Sequence, residues 1–406
     1  MTHRRIRVAT VITRMTAGAG GVALRGALAL DPDRYAVVIV TGGTGFNGER
    51  MDRTQEVLSG VDAVKDAPEG DLLAAAYEAG LGAVRIPSLV PEISLRKDAA
   101  ALRILTGVLR EGRFDVVHTN SAKGGALGRV AASRAHVERI VHTYHGFPFH
   151  QFQSPWRRAL YVGIERWLGR RTDVCLAVGS GVAAEAIRRG LVPPDRVRTI
   201  APAVDPVCYP AGTAARGMAR RRLGLPAGVR LVGTVGRVDY QKAPEQWIDA
   251  LAEVDGDDVW GLWIGDGPLR GRLLARARKR GLADRFRLLG HREDVSELLP
   301  ALDVFALASR YEGLPCALIE AIGAGVPVVA TAVNAVPDVV VPGETGLLVP
   351  AQAPRVLGQA IGYLLNEPVE ARRMAAAAKA RVGEWYTPHT LGTVLDHVYG
   401  GRMLWS

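Results

Sequence analysis

The run Ser309-Arg310-Tyr311-Glu312-Gly313-Leu314-Pro315-Cys316-Ala317-Leu318-Ile319-Glu320-Ala321 decides how the rest of the chain is read. It follows the apolar stretch Asp303-Val304-Phe305-Ala306-Leu307-Ala308, which reads as a buried parallel strand. The chain then turns through Glu312-Gly313 and enters a helix, with Pro315 near the first helical position, where its missing N–H costs nothing. Glu312 is placed in the strand-to-helix turn. Glu320 is placed about one and a half turns into the helix, roughly 7–8 Å along its axis at ~1.5 Å per residue. Between the two carboxylates the unpaired N–H groups of the helix start suit an anion. Acceptors on both sides of an anion site fit a ligand with hydroxyls at its ends and phosphate in its middle, as in a nucleotide sugar. Two glutamates eight apart are as often solvated helix residues, so the flanking residues carry the decision.

Beyond the helix lie a second buried strand, Gly325-Val326-Pro327-Val328-Val329-Ala330-Thr331, then Pro337-Asp338-Val339-Val340 and the turn Gly343-Glu344-Thr345-Gly346-Leu347-Leu348-Val349. This block resembles the signature region of the family 4 retaining glycosyltransferases. The resemblance implies α/β architecture of the GT-B type: two Rossmann-like, doubly wound parallel-sheet domains with a cleft between them. It implies that Glu312 contacts the transferred sugar and Glu320 the ribose hydroxyls. Gly313, Leu314 and Pro315 would lie on the donor with them. Gly236-Arg237 and Lys242 match the family's diphosphate element, a guanidinium fork and a point charge that neutralise the leaving group. Gly265-Asp266-Gly267-Pro268 matches its Gly-x-Gly-Pro element, and the strand ending at Gly290-His291 is the one that commonly holds the nucleobase. Two departures stand out. Asn334-Ala335 replaces the usual Gly-Gly, with Asp338 in place of Glu, and only Val204-Asp205 remains of the usual domain-junction element.

The chain has 406 residues, 48% of them hydrophobic, enough for two domains with sizeable cores. The division expected is 1–203 for an acceptor-binding domain, 204–387 for a nucleotide-sugar-binding domain, and 388–406 for a terminal helix crossing back to the first. No uninterrupted apolar run spans a bilayer. Met1-Thr2-His3-Arg4-Arg5-Ile6-Arg7 leads straight into a strand, so no signal peptide is expected. Cys175, Cys208 and Cys316 show no metal spacing, and their odd number fits a reducing cytoplasm. The net charge is +10, yet of 51 Lys and Arg only six are lysine, and the charges are dispersed. That pattern reads first as GC-rich coding bias, second as attraction to phosphate or an anionic membrane, and last as nucleic-acid binding.

In the first half, Arg5–Ile12 is a strand that runs into Thr16-Ala17-Gly18-Ala19-Gly20-Gly21 and a helix. These are the parts of a phosphate cradle, since only glycine lets backbone N–H groups approach an anion so closely. The full dinucleotide fingerprint is missing. The resemblance places Gly20 and Gly21 opposite the donor phosphates. Asn47–Leu81 reads as polar and irregular, with a helical patch near Leu72–Ala79. His118 and Lys123, at and after the strand Asp115–Thr119, are candidate acceptor contacts, though a satisfied core histidine is at least as good a reading of His118. The strand Arg139–Thr143 ends in Tyr144-His145-Gly146-Phe147-Pro148-Phe149-His150. Its three histidines, at spacings of three and five on an extended chain, aim apart and argue against zinc. The resemblance places His145 near the sugar, and His145-Gly146-Phe147 is similar to members that build bacterial surface polysaccharides. Trp156–Arg171 is an amphipathic helix that either lies on an anionic membrane or packs its Trp and Leu inward; packing is favoured. Asp255-Gly256-Asp257 precedes a strand and so reads as a turn at the far end of the sheet, with no metal requirement.

The function this predicts is transfer of a sugar, with retention, from a nucleoside-diphosphate donor to a hydroxyl acceptor. No cofactor beyond the nucleotide sugar is expected. On family frequency the donor is UDP-linked, with GlcNAc a candidate sugar. The acceptor is a lipid-linked or cell-surface glycan, or else a soluble secondary metabolite such as an aminocyclitol. The predicted location is cytoplasmic, or peripheral on the inner membrane face. His145, Glu312, Arg237 and Lys242 are the catalytic candidates. Rivals are a nucleotide-sugar 2-epimerase, whose acid/base carboxylates are not evident, a phosphorylase, which lacks an obvious pyridoxal lysine, and an inactive partner subunit.

Overall fold

Hydrophobic runs of four to seven residues alternate along the chain with amphipathic stretches of helical period, which dictates repeated βα units and parallel sheets. The structure, a computed structural model, describes residues 4–16, 18–43, 72–204 and 210–401. Ala17, the polar stretch up to residue 71, Asp205 and Cys208 fall outside the described residues. The chain divides into two compact units, residues 1–203 with 388–406, and residues 204–387.

The first unit holds β1 (Ile6–Ile12), α1 (Ala19–Leu28), β2 (Tyr35–Thr41), α2 (Leu73–Glu78), β3 (Gly82–Arg85), α3 (Leu95–Glu111), β4 (Val116–Asn120) and α4 (Ala122–Arg134). It continues with β5 (Arg139–Tyr144), α5 (Pro155–Gly169), β6 (Val174–Ala177), α6 (Ser180–Arg188) and β7 (Val197–Thr199). All pairings are parallel, in the order β3-β2-β1-β4-β5-β6-β7. Alternation along each strand feeds two cores. Val38, Val40, Val84 and Ile86 pack with Leu105 and Leu109 of α3 on one face, and Ile39 and Ala83 with Leu24 of α1 and Leu73 of α2 on the other.

The second unit repeats the plan with β8 (Arg230–Val235), β9 (Val259–Ile264), β10 (Phe286–Gly290), β11 (Val304–Leu307), β12 (Val328–Thr331) and β13 (Leu347–Val349), in the parallel order β10-β9-β8-β11-β12-β13. Its helices are α7 (Thr213–Arg222), α8 (Pro244–Leu251), α9 (Arg270–Lys279), α10 (Val295–Leu298), α11 (Cys316–Gly323), α12 (Val336–Val339), α13 (Pro354–Asn366) and α14 (Pro368–Trp385). Trp247 and Trp263 meet edge to face at 5.8 Å in its core. The last helix, α15 (Pro388–Tyr399), belongs to the first unit, where Asp396 bonds Arg34 at 2.5 Å and Tyr35 at 2.7 Å.

In both sheets the strand order reverses beside the first strand of the unit, between β1 and β4 and between β8 and β11. Sheets of this kind bind ligands outside the carboxyl ends of the strands at that reversal. The Asp255-Gly256-Asp257 turn stands before β9, at the opposite end, where Arg285 lies 3.5 Å from Asp257. No helix among the described residues is long and apolar enough to cross a membrane.

Candidate active site

At the reversal of the second sheet, the loops after β8, β11 and β12 converge on Glu312, which is 7% exposed. Its Oε1 accepts from Lys242 Nζ at 2.6 Å and from Ser309 Oγ at 2.6 Å. Its Oε2 accepts from Gln241 Nε2 at 3.0 Å, and its backbone N–H donates to Asn334 Oδ1 at 3.0 Å. Charge-assisted bonds of this kind fix a carboxylate firmly. Arg237 is held differently: Nε and Nη2 both donate to Asp239 Oδ2, at 3.0 and 2.6 Å. Asp239 Oδ1 in turn accepts the Lys242 backbone N–H at 3.1 Å, so one buried carboxylate sets the relative placing of both cations. Arg237 remains mostly exposed, a guanidinium presented to solvent from a fixed root.

The backbone around these residues is strained where it matters. Ala243, between Lys242 and Pro244, is left-handed at φ 52°, and Asn334 at φ 47°. Single left-handed non-glycine residues persist only where their surroundings over-determine them. Gly236 and Gly265 have a packing role. A Cβ on Gly265, at φ 133°, would collide with the Gly236 carbonyl, and Val238 donates its N–H to the Asp266 carbonyl at 2.9 Å. The Gly-x-Gly-Pro element thus lies backbone to backbone against the loop that carries Arg237. Gly290 closes β10 at φ 74°, its carbonyl accepting Gly265 N–H at 2.7 Å, and His291 beside it is exposed.

Pro315 takes the N-cap position of α11, with extended ψ of 110°, one residue before the first helical residue Cys316, so it does stand near the helix start. Gly313 and Leu314 are buried in the preceding loop, and Glu320 lies in the second turn of α11, partly buried. The N-terminal turn of α11 therefore follows directly on Glu312.

In the first unit, β4 and β5 end side by side, and His145 Nε2 meets Asn120 Oδ1 at 2.8 Å. Burial pushes the His145 imidazole down to about 4, so the ring is neutral near pH 7. Gly20 and Gly21 are buried in the first turn of α1, after Gly18 at φ 73°. A Cβ on Gly20 would press on the Met15 backbone, so its glycine serves the close return of the helix onto the turn. Thr13 Oγ1 and Ser121 Oγ, 2.9 Å apart, tie the ends of β1 and β4 together.

The two acceptor candidates, His118 and Lys123, both have partners within the first unit. His118 is 6% exposed, with Nδ1 2.6 Å from Tyr399 Oη and Nε2 2.6 Å from Thr143 Oγ1. Both ring nitrogens are used within the core, which is the satisfied-histidine reading. Lys123 Nζ pairs with Asp98 Oδ1 at 2.5 Å and bonds the Glu92 carbonyl, so it ties α4 to α3 and the loop before it. Asp239, Gln241, Ser309 and Asn120 were not anticipated as partners. The one sequence signal for Asp239 is its position between the two cations.

Matches to known families fall on both units. Residues 18–207 match the model described as Glycosyltransferase Family 4, and residues 216–381 the model for glycosyl transferases group 1. A D-inositol 3-phosphate glycosyltransferase of Xylanimonas cellulosilytica is 31% identical over 314 residues, covering 71% of this chain and 74% of that protein. The chain belongs to glycosyltransferase family 4. It is a glycosyltransferase of that retaining family, and its two parallel-sheet units are those of the GT-B fold.

Further proteins are also similar. The UDP-Gal:alpha-D-GlcNAc-diphosphoundecaprenol alpha-1,3-galactosyltransferase of Escherichia coli is 31% identical over 255 residues, 61% of this chain and 66% of that enzyme. The 2-deoxystreptamine glucosyltransferase of Streptomyces kanamyceticus is 30% identical over 254 residues, 59% of this chain and 63% of that enzyme. Among solved structures, HepE of Anabaena, crystallised with UDP and glucose, superposes with a TM-score of 0.81 at 18% identity over 98% of this chain and all of that one. At such identity the likeness is one of fold.

Proposed function

We propose that this family 4 enzyme moves a hexosyl unit from a UDP-sugar to a hydroxyl of a lipid-linked glycan. The observation that carries the reading is the paired-cation loop of Arg237 and Lys242, rooted on Asp239 beside Glu312 and the start of α11. Arg237 and Lys242 would take the diphosphate, and Glu320 the ribose hydroxyls. Glu312, with Gly313, Leu314 and Pro315, would line the transferred sugar. Gly236, Gly265, Gly290 and His291 would border the nucleotide. Gly20, Gly21 and neutral His145 would act from the first unit. The bond from the anomeric carbon to the diphosphate oxygen breaks as the bond to the acceptor oxygen forms on the same face. The acceptor's proton passes to the departing phosphate oxygen. The chain's part is electrostatic: two cations meet the charge that builds on the leaving group.

The galactosyltransferase relative, named for a UDP-sugar donor and a diphosphoundecaprenol acceptor, supports this choice. A second reading, a cyclitol acceptor, is supported by the relatives named for inositol 3-phosphate and 2-deoxystreptamine. The test is thermal unfolding with UDP, GDP and TDP and their hexoses, on the wild type and Glu320→Ala. Ligand at about 100 times its dissociation constant adds about 2.7 kcal/mol. Stabilisation by UDP that Glu320→Ala loses supports the donor reading. Absence of stabilisation by any nucleotide overturns it in favour of an inactive partner subunit. Turnover with UDP-Gal or UDP-GlcNAc on undecaprenyl-linked sugar against cyclitols then separates the acceptors.

A further inference from the structure

Helix α5 buries one face and leaves an apolar stripe in water on the other. Val162, Glu165, Leu168 and Gly169 face the core. Glu165 is there because Arg129, fully buried on α4, bonds it at 2.9 Å. On the other side Trp156 is 68% exposed, Leu160 55%, Trp167 45% and Ile164 40%. This corrects the expectation that Trp and Leu pack inward; of them only Leu168 does. At 3.6 residues per turn the four exposed side chains fall within an arc of about 80°, centred opposite the buried face. Arg157 and Arg170 lie beside the two edges of that stripe, and Arg166 lies farther round, its Nε donating to the Arg189 carbonyl at 2.8 Å. Arg171 lies over the Trp167 ring at 3.8 Å. The one carboxylate of the helix, Glu165, is inside, so the outward surface of α5 carries cations and apolar groups and no anion. At the helix end a hollow of about 570 Å³ is lined by Arg166, Arg170 and Arg196 over Ile187, Leu191 and Val192.

We propose that this face of the first unit docks on an anionic lipid surface, with the α5 stripe in the headgroup–acyl boundary and the arginines on lipid phosphates. Charge decides the occupant. A second copy of this chain, at net charge +10, would set arginine-flanked stripes against each other. A membrane rich in acidic lipid meets both the apolar stripe and the cations, as amphipathic interfacial helices do. Tryptophan is suited to that depth, having an apolar body and one N–H for the headgroup layer. The inference does not rest on the transferase reading, since no side chain of the stripe is in the site described above.

The experiment is flotation of the full chain with phosphatidylcholine vesicles and with vesicles containing phosphatidylglycerol, at low and high salt. Binding to the acidic vesicles is expected, weakened by salt, with little binding to phosphatidylcholine alone. Trp156→Ser with Trp167→Ser should lower the bound fraction at least tenfold. Arg157→Glu with Arg170→Glu should do the same, each arginine near an acidic surface being worth roughly fivefold. All four positions are exposed, so thermal unfolding of both variants should match the wild type. Absence of flotation, or variants that float like the wild type, overturns the proposal. So does a wild-type dimer in solution that the tryptophan variant dissolves, which would make the stripe a contact between copies.

Discussion

Glu312 gathers three donors onto one buried carboxylate, and the lysine among them is the one expected to meet the diphosphate. Lys242 therefore has two anionic partners to serve, and its loss should be felt in the free protein as well as in catalysis. Lys242→Met leaves Glu312 with Ser309 and Gln241 alone. Removing a hydrogen bond to a charged group costs about 1.5–3 kcal/mol, and removing one preorganised cation from a developing charge costs about 10²–10³ in kcat. Urea unfolding and initial rates on Lys242→Met, Glu312→Gln and the double variant check this. The stability losses should combine to clearly less than their sum, because both changes break one bond. Strictly additive losses would mean that the pair is not coupled. None of these partners is legible from the sequence in the way Glu312 is. Ser309, Gln241 and Asn334 come from three different strand ends, and a polar residue in a loop has no periodicity to betray which neighbour it meets.

At the scale of elements, the strand-to-helix turns do the positioning. The loop after β8 holds Arg237 and Lys242 because the loop after β9 lies against it with no side chain between them. Gly265→Ala would place a methyl on the Gly236 carbonyl at a backbone angle that disfavours any L side chain. It should destabilise the second unit by about 2 kcal/mol or more and weaken UDP binding, whereas Gly271→Ala, in open space on α9, should do neither. Calorimetry and a nucleotide titration of both variants decide it. The terminal helix α15 is fixed to the first sheet by Asp396 and by Tyr399 on His118. Tyr399→Phe leaves His118 Nδ1 unpaired in the core and should cost about 1–3 kcal/mol by urea unfolding. Strands and helices such as β11 and α11 were legible because an apolar run bounded by turn residues has few other uses. The facing of α5 was not. Its sequence is apolar on two sides, and the reading that buries the larger rings is overturned by Glu165, whose inward turn depends on Arg129, 36 residues away.

Across the whole molecule, the same topological plan occurs twice, but the two units differ in their buried titratable groups. The first sheet carries His118, His142 and His145 on β4 and at the end of β5; in the second unit the one histidine, His291, is exposed. Burial pushes His118 down to about 3 and His145 to about 4, and burial together with the nearby Arg129 holds His142 well below the ordinary value. Each ring is neutral in the fold and would take a proton near pH 6.5 once unfolded. The unfolded state therefore binds more protons than the folded one below that value, and stability rises with pH in that range. Read downward, the contribution is intact above about pH 6.5 and is lost as pH falls toward 4 and then 3. The loss should fall on the first unit. Hydrogen exchange, corrected for its intrinsic pH dependence, should show β4 and β5 losing protection between pH 6.5 and 4.5 while β8 and β11 keep theirs. His118→Gln, which keeps polar contacts to Tyr399 and Thr143 without a titrating ring, should flatten part of that loss. Equal acid sensitivity in both sheets would mean that carboxylates, spread over the two units alike, and not the three histidines, set the acid limit of the fold.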